Sequence, residues 1–171
     1  MKMKKAFAVA LACALLLGLA ACDWFGGNTT QAQTTTQAET TTETEPTTQL
    51  KQVTLYLPNE NADGFITRQA ETDGSIEGVV ALLVAEGALP EGCAPLGFSV
   101  EDAALDMNEA FLQAVNNTGT TGEYLRFGSL VNTVLGFFGL EVLYITAQGQ
   151  VIETGHNTYD FVFRFYENHA G

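Results

Sequence analysis

Alternating apolar and polar residues predict strands along the C-terminal two-thirds of this 171-residue chain. Val53–Pro58 alternates at its start and is rich in strand formers, and Phe65–Glu71 predicts a second strand after turn-forming residues. Three further strands are predicted by similar signals: Leu96–Leu105, Glu141–Thr146 and Val151–Glu153. The turn residues Gln148–Gln150 predict that the last two form a hairpin.

Helical periodicity separates these strands. After a cap at Asp73–Ser75, apolar residues at helical spacing predict a first helix that ends at Gly87. Its apolar face is formed by Ile76, Val79, Val80 and Leu83. The sequence Asp106–Glu109 fits a capping box that opens a short helix reaching about Val115.

A longer helix is predicted from Glu123, after a loop at residues 116–122, to a stop signal at Gly139. Its apolar stripe consists of Tyr124, Phe127, Val131, Val134, Leu135 and Phe138. Strands and helices interleave irregularly, which predicts an α+β fold. We expect a two-layer domain with the helices packed on one face of a mixed β-sheet.

The N-terminus carries an export signal. An apolar run at residues 6–21 follows three lysines and ends in Leu19-Ala20-Ala21-Cys22, which resembles a bacterial lipobox. A single transmembrane helix is the alternative, but 16 residues are short of the roughly 20 that span a bilayer. We predict a signal peptide at residues 1–21, recognised through Leu19, Ala20 and Ala21, with Cys22 as the lipid attachment site.

Residues 22–50 connect this site to the folded domain. After Cys22 the segment is rich in Thr and Gln and poor in apolar side chains, so it is predicted to be a disordered tether. Two acyl chains on Cys22 hold a protein stably at a bilayer without other membrane contacts. The predicted location is therefore the extracytoplasmic face of the cell membrane, where the protein is lipid-anchored.

The charge of the chain is strongly negative. It has 7 basic and 20 acidic residues, a net charge of −13, and loss of residues 1–21 removes three lysines and changes this to −16. Such a charge repels nucleic-acid phosphates, so no nucleic-acid partner is predicted. It suits a cationic partner or a divalent ion, or it serves only solubility. Cys93 has no intrachain partner once Cys13 is removed and Cys22 acylated, so the domain folds without a disulfide.

Candidate chemistry is sparse. The two histidines are His156 and His169, and no Gly-x-Ser-x-Gly motif supports an acyl-transfer hydrolase. Two carboxylates such as Asp106 and Glu109 are the groups that glycoside hydrolysis of the cell wall requires, but helix capping already explains this pair and is the favoured interpretation. We predict no catalytic residue and therefore no enzyme; a wall hydrolase using Asp106 or His156 is the alternative.

Two loops resemble ion-binding motifs. Asn59, Asn61, Asp63 and Gly64 match four positions of a calcium loop, but Ala70 occupies the place of its bidentate Glu. Residues 118–122 precede a helix as a phosphate-binding loop does, yet they lack the lysine of such a loop. No metal site and no cofactor are predicted.

The last stretch of the chain is rich in aromatic residues. Phe161, Phe163, Phe165 and Tyr166 alternate with Val162 and Arg164. On an extended segment half of these rings face outward and form an apolar edge for a partner. Alternatively, the rings pack back onto the core of the domain.

Several segments, taken in order, resemble successive elements of the GerMN domain. They are Val53–Pro58, Leu82–Gly87, Ala104–Phe111, Leu130–Leu135 with its Asn-Thr pair, and Phe138–Val142. The resemblance covers about residues 51–155, which leaves residues 156–171 as a C-terminal extension. In place of the Gly-Pro step common in the family, this chain has Gly87-Ala88-Leu89-Pro90.

The resemblance implies an exported, often lipid-anchored bacterial protein with a non-enzymatic interaction domain. In the sporulation member that names the family, the domain resembles ring-building modules of an envelope assembly. That member has two such domains and this chain has one, so its role in spores does not carry over. The implied partner is another envelope protein or a second copy of the chain. The alternative is a module that binds a small ligand or a cell-wall glycan.

Overall fold

The first two strands form a hairpin of their own in the computed structural model, which describes residues 49–167. β1 (Lys51–Pro58) pairs antiparallel with β2 (Phe65–Thr72) along its whole length, and the turn between them closes at Asn59 and Gly64. One face of β1 carries three buried side chains: Val53, Leu55 and Leu57. β1 confirms the alternation that predicted it, and β2 confirms the second predicted strand.

The remaining strands form a separate five-stranded sheet. β3 (Pro95–Ser99), β4 (Ala104–Met107), β5 (Tyr144–Ala147), β6 (Gln150–Glu153) and β7 (Thr158–Tyr159) lie side by side in that order. Only β4 and β5 are parallel, so the sheet is mixed. The α+β class is confirmed, although two sheets are present where one was expected.

The prediction of a single strand at Leu96–Leu105 is wrong, because the chain reverses at residues 100–103 to form the β3–β4 hairpin. Ser99 and Asp102 stabilise this turn: the Asp102 N–H donates to Ser99 Oγ (3.1 Å), and that hydroxyl donates to Asp102 Oδ2 (2.7 Å). Ala103 takes a left-handed φ of 49°. Residues 100–103 contain no glycine or proline, the usual sequence signals of a turn, so the sequence pattern did not predict this one.

The first two helices lie where they were predicted, α1 after β2 and α2 after β4. α1 (Ile76–Ala85) begins after Ser75, whose Oγ accepts from the Gly78 N–H (3.0 Å), as predicted. α2 (Glu109–Asn116) is capped by Asn108 and not by Asp106, which corrects the capping-box assignment. Asp106 instead lies within β4.

The longest helix, α3 (Thr120–Phe138), occupies the centre of the fold. It begins three residues before the predicted Glu123, so residues 120–122 are helical and not a loop; its end at Gly139 (φ 68°) is confirmed. It packs against β1, α1 and α2, and it is buried almost all round between Leu125 and Leu135. None of the helices in residues 49–167 is long and apolar enough to cross a bilayer.

Several predicted features lie outside the described residues. These are the signal peptide with Leu19, Ala20 and Ala21, the attachment site Cys22, His169 and nearly all of the tether. Of the tether, Gln49 and Leu50 are described, and Leu50 is exposed.

Candidate interaction site on the C-terminal strap

The aromatic end of the chain, Thr158–Glu167, lies against α3, and we call it the C-terminal strap. It begins as β7, in which Tyr159 pairs with Ile152 of β6. Further along, Phe163 and Leu143 exchange two backbone hydrogen bonds of 3.0 and 2.7 Å. The strap therefore continues the backbone pairing of the sheet beyond residue 155, where the family resemblance ends.

Two rings of the strap point inward. Tyr159 and Phe163 are buried, and their ring centroids lie 4.4 and 5.0 Å from that of Phe127 in α3. Phe127 also meets Phe111 of α2 edge to face at 5.5 Å. Aromatic pairs of this kind stabilise a core by roughly 0.5–1.5 kcal/mol beyond the burial of their area. The strap is thus part of the core.

Two consecutive polar residues of α3 bind backbone groups of other segments. Asn132 Nδ2 donates to the Tyr166 carbonyl (2.8 Å) and Asn132 Oδ1 accepts from the Tyr166 N–H (2.7 Å). Thr133 Oγ1 accepts from the N–H of Tyr56 in β1 (3.0 Å). Both side chains are fully buried. The Asn-Thr pair that entered the family resemblance thus holds the strap and β1 against one helix.

Sequence reasoning assigned this pair no role, although a signal for one was present. Asn132 and Thr133 interrupt the apolar run Leu130–Leu135, and polar groups buried in a core are nearly always hydrogen-bonded. The pattern therefore indicates that they bind something; it does not indicate which segments they bind.

Three apolar side chains of the strap face outward, while the Tyr166 ring is half-buried against the core. Phe161, Val162 and Phe165 are 49%, 49% and 47% exposed. The Phe165 ring contacts Tyr56 edge to face at 5.2 Å. Both predicted arrangements of the aromatic segment therefore occur, since Phe163 packs inward while Phe161 and Phe165 face solvent.

A shallow groove of about 330 Å³ accompanies these exposed side chains. It is lined by residues 161–167 and by Tyr124, whose hydroxyl donates to the Glu167 carbonyl (2.7 Å). Arg164 contributes a basic group to the groove. The outer side of the strap thus combines apolar surface with a cation, and its backbone is fixed by buried contacts.

A buried acid lies beneath the strap. Glu123, in the first turn of α3, is 1% exposed, and its Oε2 accepts from the Tyr159 hydroxyl (2.6 Å). Its Oε1 is also buried and has no hydrogen-bond donor among the described residues. Burial, and next the hydrogen bond to Glu123, raise the pKa of Tyr159 to about 12. The acid helps to position Tyr159, a role that the sequence did not reveal.

The residues considered for hydrolysis have structural contacts. Asp106 Oδ1 accepts from Thr146 Oγ1 (2.7 Å) and from the Gly149 N–H (2.8 Å), which joins β4 to the β5–β6 turn. Glu109 accepts from Gln113 along α2 (2.6 Å). His156 is exposed in the turn before β7.

The remaining candidates are likewise used locally. Asn59 and Asp63 bond each other within the β1–β2 turn, through Asn59 Nδ2 to Asp63 Oδ1 (2.7 Å). Cys93 is buried, and this burial raises the pKa of its thiol. In the part of the chain that the structure describes, no three His, Cys, Asp or Glu side chains are grouped to hold a metal ion.

Comparison with known proteins yields little. No family model matches the chain, the GerMN model included, and no curated protein matches it. Among solved structures, the chain is similar to a candidate lipoprotein from Clostridium perfringens at 16% identity and a TM-score of 0.43. The similarity covers 67% of this chain and 87% of that one. A likeness this distant carries no argument about function.

Proposed function

We propose that this chain is a lipid-anchored protein on the extracytoplasmic face of the membrane whose GerMN-like domain binds another envelope protein. The binding surface is the outer side of the strap. The observation that carries the proposal is the exposure of Phe161, Val162 and Phe165 on a backbone that buried hydrogen bonds hold in place.

Exposed apolar side chains suit binding when they are clustered and fixed. Scattered apolar residues are ordinary on protein surfaces, whereas contiguous apolar surface marks interaction sites. Because Asn132 and Phe163 already fix the strap, little further ordering entropy is lost on binding. The proposed role is non-enzymatic, and the structural contacts of Asp106 and Glu109 support that choice.

Photocrosslinking in intact cells tests this proposal. A photoreactive phenylalanine analogue is placed at Phe161 or Phe165, and at Val100 as a control of equal exposure (49%) on the β3–β4 turn. We expect both strap positions to give the same discrete protein adduct and Val100 to give none. The adduct is then identified by mass spectrometry.

Substitution gives the complementary result. Phe161→Ser combined with Phe165→Ser is expected to abolish the adduct from a probe at Val162, while Val100→Ser leaves it unchanged. Adducts of equal yield from Val100 contradict the strap as the binding surface. Adducts that contain wall glycan and no protein favour the alternative of a glycan-binding module.

A further inference from the structure

The outer edge of β1 carries backbone groups that point away from β2. The Tyr56 N–H shows the direction, because it donates to Thr133 of α3 and not to the neighbouring strand. Backbone groups alternate in direction along an antiparallel strand, so the N–H and C=O groups of Thr54 and Gln52 point the same way. These groups make no hydrogen bond to any other residue in the described range.

A groove of about 640 Å³ lies along this edge. Its walls are Gln52, Thr54 and Tyr56 on one side and residues 136–138 of α3 on the other. The groove ends at Tyr56, where the backbone N–H is bonded to Thr133. Beside Gly136 it is open, because a Cβ atom added to this glycine would have no neighbouring atom within 4 Å. The groove is thus open beside Gln52 and Thr54.

Its dimensions and lining suit a short extended peptide. A strand rises about 3.3 Å per residue, so the edge from Gln52 to Thr54 offers pairing for roughly three residues. The half-buried rings of Phe137 and Phe138 provide apolar surface beside the edge. Strand addition draws its affinity from such backbone groups and its selectivity from the neighbouring side chains.

Lys51 gives the groove its charge preference. It is one of the groove residues, and within residues 49–167 its ammonium group forms no ion pair. A carboxylate beside this ammonium group interacts with it directly, whereas interactions with exposed charges more than about 10 Å away are largely screened. Glu71 and Asp73 flank Thr72, the strand partner of Lys51, so the preference is confined to the immediate surroundings of the ammonium group. In the neighbouring strand β2, the exposed residues Arg68 and Glu71 are charged, and charged side chains on an edge discourage strand pairing.

We propose that this groove binds an extended segment of a partner polypeptide by strand addition to Gln52–Thr54, with a carboxylate of that segment facing Lys51. The site is distinct from the strap surface. It makes the domain a receptor for an acidic linear peptide, which is a further binding activity.

Selection from a displayed library of random nine-residue linear peptides tests the proposal on the purified full chain. We expect binders that share an acidic residue and whose dissociation constants rise at least tenfold with Gly136→Leu, which fills the groove, and severalfold with Lys51→Gln. Gly97→Leu is the matched control, because Gly97 in β3 also faces open space. The Gly97→Leu variant is expected to bind the selected peptides with the same dissociation constants as the unmodified protein.

Amide hydrogen exchange shows where the selected peptides bind. Strand addition slows exchange at the Gln52 and Thr54 N–H groups, and urea unfolding verifies that each variant is folded. Three results overturn the proposal: no binders are selected, binding is indifferent to Gly136→Leu, or the slowed amides lie away from β1.

Discussion

The pH behaviour of Tyr159 is set first by its burial and then by its contact with Glu123. Tyr159 is surrounded by Phe127 and Phe163, so its ionised form is disfavoured by lost hydration. The nearby carboxylate disfavours that form further, because it accepts the hydroxyl proton and repels a phenolate. The folded state therefore holds this proton more tightly than the unfolded chain does.

This pair predicts a loss of stability in alkali. The pKa of Tyr159 is about 12 in the folded state, above the usual value near 10, so the contribution is complete below pH 10. It is lost as pH rises from 10 through 12, because the unfolded chain releases its proton first. We expect Tyr159→Phe to weaken this pH dependence of the free energy of unfolding, measured with urea.

Some alkaline dependence is expected to remain in that variant, because burial also raises the pKa of Tyr124 and of Tyr166. At pH 7, Tyr159→Phe is expected to cost about 1–3 kcal/mol, since Glu123 loses its hydroxyl donor. An unchanged pH dependence between 10 and 12 would contradict the assignment.

At the scale of elements, local signals located some boundaries well. Ser75 and Gly139 bound α1 and α3 as expected, because capping and left-handed termination depend on neighbouring residues alone. The start of α3 was missed because Gly119 caps it without a side-chain bond, and threonines follow. Arg126, whose guanidinium donates to the Ala114 carbonyl of α2, shows that a tertiary contact supports these first turns.

The sequence predicted the candidate site less completely than it predicted the fold. Alternation identified the strap as a segment with two faces, yet it did not tell which rings point inward. Two sets of hydrogen bonds decide which rings point inward. Asn132 bonds both backbone groups of Tyr166, which lies 34 positions further along the chain, and Phe163 pairs with Leu143. Contacts this distant in sequence leave no local periodicity.

The strap predicts a specific effect of Asn132→Ala. The substitution leaves the N–H and C=O of Tyr166 without their partners, at an expected cost of about 2–3 kcal/mol in the free energy of unfolding. Exchange of the Tyr166 amide is expected to quicken more than that of Leu143. As a control, Asn116→Ala at the exposed end of α2 is expected to change stability by less than about 0.5 kcal/mol.

At the scale of the whole molecule, the described domain carries sixteen acidic and four basic side chains. Arg68 pairs with Glu86, and Arg126 bonds a carbonyl, so Lys51 and Arg164 are the basic groups of the two proposed binding surfaces. On a surface that is otherwise acidic, each of these two basic side chains is a position where a carboxylate of a partner is attracted locally.

Anchoring is tested at this same scale. Cys22→Ser removes the thiol that the proposed acylation requires, so we expect the precursor to keep residues 1–21 and to take up no labelled fatty acid. Cys93→Ser is the matched control, because Cys93 is buried in the domain core, and labelling is expected to persist. Fatty-acid labelling of the Cys22→Ser protein would place the attachment elsewhere.

The adjacent positions of Asn132 and Thr133 have a practical consequence. Because one helical turn binds both β1 and the C-terminal strap, truncation within the strap is expected to disturb β1 as well. A fluorescent or affinity tag at the C-terminus therefore risks perturbing what it is meant to report.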